Sequence, residues 1–257
     1  MKETALITGG SSTIIQAICR EWIRPGRKFI FLGRSQDKIK IFQEELNRHD
    51  CEAIFISCDL ENNQEINKIQ LWFYSEQIQF HYLILGASIG NKVLFKESCQ
   101  EKLLSLININ ISSSIHLLKI VLPLFDSAGG RILILSSTAA FQPGPGNALY
   151  FASKAFQNSL IEALAYEYRE QNIRFLLLCP GPLIVKSDWD SEVKKSGFLK
   201  RCRFSSLEQV ASEVDSHFEK DFTLWIPGKM NQIFNLISKM IPKSIRNKII
   251  LEMSLKN

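Results

Sequence analysis

Glycine is scarce in this chain. There are 13 in 257 residues, about 5% against the roughly 7% of ordinary proteins, which excludes collagen-like and glycine-rich low-complexity chains. Long apolar runs are missing too: the longest, such as 29–32 and the stretch after Arg131, are strand-length, far short of the roughly 20 residues that cross a bilayer. The six cysteines (Cys19, Cys51, Cys58, Cys99, Cys179 and Cys202) contain no Cys-x-x-Cys pair, and no histidine cluster stands beside them to complete a zinc site. Scattered thiols without a disulfide framework fit a reducing compartment, and Met1-Lys2-Glu3 leads straight into a strand-like segment without a cleavable leader pattern. A cytoplasmic protein is the expectation.

Net charge is absent from most of the chain as well. Residues 229–257 carry Lys229, Lys239, Lys243, Arg246, Lys248 and Lys256 against Glu252 alone, so the whole formal +5 lies there and the body is neutral. Nothing in that balance points to a nucleic-acid partner. The same tail reads as two amphipathic helical pieces broken at Pro242, with Ile233, Phe234, Ile237, Met240 and Ile241 in the first and Ile245, Ile249, Ile250 and Met253 in the second. A basic amphipathic segment lies on an anionic membrane surface or a partner, or packs on its own domain with its basic face in water; the sequence leaves these open.

What is present is alternation. Apolar runs at 4–8, 28–32, 53–58, 82–85, 131–136, 173–179 and 222–226 read as strands. Helical spacing separates them: Ile14 to Ile23, 37–47, 64–77, a long stretch over 101–122, 149–170 and 207–218. Repeated βα units with continuously apolar strands imply an α/β fold, a doubly wound, mostly parallel sheet with helices on both faces. Its ligand crevice lies at the carboxyl ends of the strands. The organisation expected is one domain over 1–228 with the basic tail at 229–257.

The most specific chemical signal is Tyr150-Phe151-Ala152-Ser153-Lys154. A Tyr and a Lys four apart on a helix share a face, and an ammonium near a phenol lowers its pKa from about 10 by favouring phenolate, which suits Tyr150 to acid–base work. Upstream, Arg131-Ile132-Leu133-Ile134-Leu135-Ser136-Ser137 places Ser137 at the end of the fifth strand. With these residues the chain resembles the short-chain dehydrogenase/reductase family over roughly 3–228. The resemblance implies that Ser137 hydrogen-bonds a substrate carbonyl and that Tyr150 gives or takes the proton. It implies that Lys154 holds the nicotinamide ribose while depressing the tyrosine pKa, and that an asparagine on the preceding long helix binds a water in a proton relay. Counting back from Leu122-Pro123 puts this last role on Asn110 rather than Asn108.

The resemblance also implies a Rossmann-like dinucleotide site, and here the residues depart from the family pattern. Its T-G-x-x-x-G-x-G reads Thr8-Gly9-Gly10-Ser11-Ser12-Thr13-Ile14-Ile15, so Thr13 and Ile15 stand where the second and third glycines belong. The family's N-N-A-G reads Leu85-Gly86-Ala87-Ser88, and the threonine of its P-G-x-x-x-T is Val185. Implied cofactor contacts are Gly9, Ser11, Ser12, Thr13 and Ile14 at the pyrophosphate, Asp59 and Leu60 at the adenine, and Gly86, Ala87, Ser88, Tyr150, Lys154, Pro180, Gly181 and Leu183 further along. Gly33 leaves no carboxylate for a ribose diol, and Arg34 suits a 2′-phosphate, which implies NADP(H) rather than NAD(H).

Residues 182–205 are implied to close over the site, and they mix Trp189, Phe198 and Phe204 with Lys194, Lys195, Lys200, Arg201 and Arg203. This composition suits a hydrophobic carbonyl or alcohol substrate with an anionic handle, or an exposed lid whose charges keep it soluble. The family commonly pairs the helices that here carry Asn110 and Tyr150, implying a homodimer or homotetramer. Two functions therefore stand at the level of sequence: an NADPH-dependent oxidoreductase interconverting a carbonyl and an alcohol, and a scaffold on the same fold whose altered glycine loop no longer holds a dinucleotide productively.

Overall fold

The computed structural model describes residues 3–181, 205–219 and 223–255. Leu183, Val185, most of the expected lid and Phe222 lie outside these residues. Seven parallel strands form one sheet in the order β3-β2-β1-β4-β5-β6-β7. They are β1 (Thr4–Thr8), β2 (Lys28–Gly33), β3 (Glu52–Ser57), β4 (Tyr82–Leu85), β5 (Gly130–Leu135), β6 (Ile173–Leu178) and β7 (Leu224–Trp225).

The sheet is buried on both faces, and alternate residues divide between two cores. Ala5, Ile7, Phe29, Phe31, Ile84, Leu133 and Leu176 point to one side. There they meet α1 (Thr13–Glu21), α2 (Lys40–Arg48) and α7 (Leu207–Glu219). Leu6, Ile30, Leu83, Ile132, Phe175 and Leu177 point to the other. That side is covered by α3 (Asn63–Ser75), α5 (Ser113–Val121) and α6 (Ala148–Glu167). The period-2 pattern thus sets the layers, and parallel crossovers put a helix between each pair of strands. The order reverses between β1 and β4, whose register pairs Thr8 with Leu85, so their carboxyl ends open the crevice expected of this topology.

Boundaries differ from the sequence reading where turn chemistry competes with helical spacing. The second helix begins at Lys40 rather than residue 37, since residues 36–39 turn first, with the Ile39 amide bonded to the Gln36 carbonyl. The long apolar stretch is not one regular helix. It is α4 (Gln100–Ile107), a π turn over Asn108–Ser112, and α5, with the Ser113 amide reaching back to the Asn108 carbonyl. The tail forms α8 (Lys229–Met240) and α9 (Lys243–Leu255) on either side of Pro242.

Candidate active site

A cavity of about 370 Å³ opens at the carboxyl ends of β1, β2 and β4. Its floor is held by Thr8, whose Oγ1 accepts the amides of Gly86 at 3.1 Å and Ala87 at 3.2 Å. Gly9, with φ +74°, lies so close to this turn that a Cβ on it would stand 2.4 Å from the Gly86 carbonyl carbon. Only glycine fits there. The loop then delivers α1, which begins after Ser12 with no acidic residue in its first turn. The first amides of any helix lack intrahelical partners and attract anions, so this end can hold a diphosphate.

The two glycine replacements have different consequences. Thr13 is exposed at the first position of α1. Ile15 turns away from the cavity, fully buried in the core beneath it. Its space comes from the facing loop: a Cβ at Gly86 would stand 2.7 Å from Ile15 Cδ1 and 2.9 Å from the Thr8 carbonyl oxygen. The branched side chain at 15 and the missing one at 86 are complementary. The crevice therefore keeps its shape despite the altered motif, and its residues fit a dinucleotide.

Of the cofactor contacts implied by resemblance, Gly9, Ser11, Ser12, Arg34, Asp59, Leu60, Gly86, Ala87 and Ser88 line this cavity. Thr13 and Ile14 belong to the helix start behind it, and Ile14 is buried. Arg34 stands at the edge, 3.7 Å from Glu61. Lys38, which the motif comparison overlooked, supplies a second cation to the same wall. Asp59 Oδ1 accepts the Glu61 amide, while the cap of α3 is Asn62. Pro180 and Gly181 close the end of β6, where the Pro180 carbonyl accepts the Thr138 amide. Leu183 lies outside the described residues.

The acid–base residues gather beside this cleft. Ser137, two residues past the end of β5, is extended and caps a short 3-10 turn, its Oγ accepting the Ala139 amide at 3.1 Å. Its side chain also stands beside the Tyr150 phenol. Burial pushes that phenol above its ordinary pKa, and the nearby Ser137 hydroxyl offsets only part of this. The lowering expected from Lys154 is not found, because the ammonium faces elsewhere. Lys154 Nζ lies 5.7 Å from the centre of the Tyr150 ring and donates to the Leu135 carbonyl at 2.7 Å and to Gln157 Oε1 at 3.2 Å. Only 1% of Lys154 is exposed, and desolvation brings its pKa down to about 8.

Asn110 is held entirely by protein groups. Its Nδ2 donates to the Ile89 carbonyl and to Ser153 Oγ, and its Oδ1 accepts the Ile89 amide. The side chain therefore clamps the Ile89 backbone at the cleft wall. Its carbonyl accepts Gln157 Nε2 at 2.8 Å and Ser114 Oγ at 3.4 Å. The groups that a relay water would use on Asn110 are taken by protein. Gln157 was missed in sequence because an amide one turn beyond Lys154 carries no motif; its burial between two helices is visible only in the fold. The signal that could have found it is its i, i+3 spacing from a lysine that has to be buried.

The profile of the short chain dehydrogenase family matches residues 3–196. Carbonyl reductase family member 4 of Xenopus laevis is 25% identical over 218 residues, covering 83% of this chain and 90% of that protein. A human protein named inactive hydroxysteroid dehydrogenase-like protein 1 is 25% identical over 201 residues, covering 77% of this chain and 59% of that one. Among solved structures, L-sorbose reductase from Gluconobacter frateurii, complexed with NADPH and L-sorbose, superimposes with a TM-score of 0.75 at 20% identity, covering 90% of this chain and 97% of that one.

Two measurements test this geometry. Gly86→Ala should destabilise the fold by about 1–3 kcal/mol in urea unfolding, and Ile15→Ala should cost less in that background than in the wild type, because the smaller residue removes one of the clashes. Lys154 has its folded pKa near 8 and its unfolded value near 10.5. The unfolded chain binds the extra proton between these values, so stability should rise with pH from about 8 to 10.5, by up to about 3 kcal/mol, and Lys154→Met should lack that rise.

Proposed function

The chain belongs to the short-chain dehydrogenase family, and from that premise we propose that it is an NADPH-dependent oxidoreductase that reduces a small-molecule carbonyl to an alcohol. The observation that carries this reading is the gathering of Ser137, after β5, with Tyr150 and Lys154 of α6 at the carboxyl edge of the sheet, beside a cleft whose lining fits a dinucleotide. Bound in that cleft, NADPH supplies the hydride. Ser137 and Tyr150 orient the carbonyl oxygen and stabilise the negative charge that develops on it. A phenol whose pKa is raised keeps its proton at neutral pH, which suits Tyr150 to donate at that oxygen. Lys154 commits two of its three donors to Leu135 and Gln157, which leaves one N–H for a cofactor hydroxyl. Arg34 and Lys38 support a preference for the 2′-phosphate, with Glu61 competing for Arg34.

Gln157 favours a second reading. By filling the Asn110 carbonyl it interrupts the route by which the family resemblance would resupply the tyrosine proton, which would suit a protein that binds the dinucleotide and turns over slowly. Assembly as a homodimer or homotetramer fits the exposure of Leu104, Ile115, Phe156 and Tyr166 on α4, α5 and α6.

Titration of the purified protein with NADPH, followed by tryptophan quenching, should saturate in the micromolar range; no binding up to millimolar would overturn both readings. With a carbonyl substrate found by screening, Tyr150→Phe should cut turnover by about a hundredfold or more while leaving the NADPH titration unchanged. Turnover at the wild-type rate would remove Tyr150 from the chemistry. Arg34→Ala combined with Lys38→Ala should weaken NADPH by about 10–100-fold and leave NADH affinity where it was; equal losses for both cofactors would reject the phosphate assignment.

A further inference from the structure

Helix α8 is built inside out. Asn231, 3% exposed, faces the body and donates from Nδ2 to the Pro227 carbonyl, with Asn235 and Ser238 half-buried on the same side. The stripe at i, i+3, i+4 and i+7 faces water instead: Ile233, Leu236 at 64% exposure, Ile237, and Met240 at 79%. Beyond Pro242, α9 exposes Ile245, Ile249 and Leu255 while Ile250 packs inward. Eight of the sixteen exposed large apolar side chains among the described residues lie on these two helices. An ordinary surface helix has the opposite polarity, and among the described residues nothing covers the stripe.

Charge selects what that is. Lys229, Lys239, Lys243 and Lys248 are exposed around the stripe, opposed by the exposed Glu252. A two-fold pairing with a second copy would set this cationic surface against itself, a like-charge cost, whereas an anionic lipid surface accepts both the lysines and the apolar side chains. We propose that α8 and α9 dock this protein on the surface of an anionic membrane, the apolar stripe entering the headgroup boundary and the lysines meeting lipid phosphates.

The docked helices also flank the candidate active site. A Cβ at Gly146, in the turn leading to Tyr150, would meet Ser254 at 2.9 Å and Leu251 at 3.4 Å, both on α9. Lys239 Nζ lies 5.6 Å from the centre of the Phe141 ring, and a Cβ at Gly181 would stand 2.3 Å from Asn231 Oδ1. Docking therefore places on the lipid surface the two helices whose inward faces border the rim of the site.

The test is co-sedimentation of the full chain with vesicles of phosphatidylcholine, pure or with about a third phosphatidylglycerol. The wild type should pellet with the anionic vesicles, less so in high salt, and stay largely in solution with the neutral ones. Leu236→Ser combined with Met240→Ser should lower the bound-to-free ratio by about tenfold or more, with an unfolding curve matching wild type. Lys239→Gln combined with Lys243→Gln should weaken pelleting on anionic vesicles alone. Wild type that stays in the supernatant with both vesicles overturns the proposal, as does a double-serine variant that pellets like wild type. Self-association lost in that variant without any vesicle binding overturns it too, by assigning the stripe to a second copy. Lipid binding is read without turnover or NADPH, so its failure is distinct from failure of the oxidoreductase reading.

Discussion

A buried ammonium has to be given acceptors, and the centre of this molecule is arranged around that demand. Lys154 sits on α6 with almost no exposure, against the carboxyl end of β5. The Leu135 carbonyl is available to it because the pairing of β5 with β4 ends one residue earlier, at Ile134 and Leu85, while Leu135 stays in register with Leu178 of β6. The second acceptor, Gln157 Oε1, is itself positioned by the bond from its Nε2 to the Asn110 carbonyl. That carbonyl is free for a side chain because the helix carrying it loosens into a π turn over Asn108–Ser112. Cation, amide and irregular turn thus form one connected unit across two helices and a strand. Leaving any member unpaired would cost more than its own hydrogen bond contributes.

The same unit reaches the cleft. Asn110 grips both backbone groups of Ile89, and Ile89 lines the cavity wall together with Ile109 from the π turn. Ser153 ties Asn110 to α6, its Oγ in turn donating to the Tyr150 carbonyl. The tyrosine, the lysine and the cleft are held in one frame by the amide side chains of Asn110 and Gln157. A neighbouring set, Ser136 with Asn158 at 2.6 Å and Asn158 beside Cys179, closes the frame against β6. Here polar groups specify the geometry that an apolar core alone would leave less defined.

Much of this was legible beforehand, for physical reasons. Continuous apolar strands announce a sheet covered on both sides, and Ile-, Leu- and Phe-rich segments at regular spacing place six of the strands within a residue or two. Tyr150 and Lys154 are legible as a pair because helix geometry fixes their spacing, and Ser137 because a strand ends there. What the sequence hid are relations between distant segments. Nothing near Asn110 signals a π turn, since no glycine or proline interrupts the helical spacing. Lys38 escaped because it lies past the positions compared with the family pattern, and Gln157 because its role comes from a partner 47 residues away. The polarity of α8 was misleading in the other direction: its amphipathic pattern was plain, but which face meets the body is decided by Asn231 finding the Pro227 carbonyl.

The exchange between Ile15 and Gly86 changes what the glycine-rich signature measures. Counted along the chain, the loop after β1 looks damaged, with an isoleucine at a place the pattern leaves bare. Counted across the contact, the side chain at 15 fills the space that a side chain at 86 would need, while β1 and β4 stay paired in register up to Thr8 and Leu85. The quantity preserved is therefore a distance between two backbones rather than a letter at a position. Restoring glycine at residue 15 alone would bring the string one letter closer to the motif while opening a void under the cleft, and a search by string would score that poorer protein as the better match.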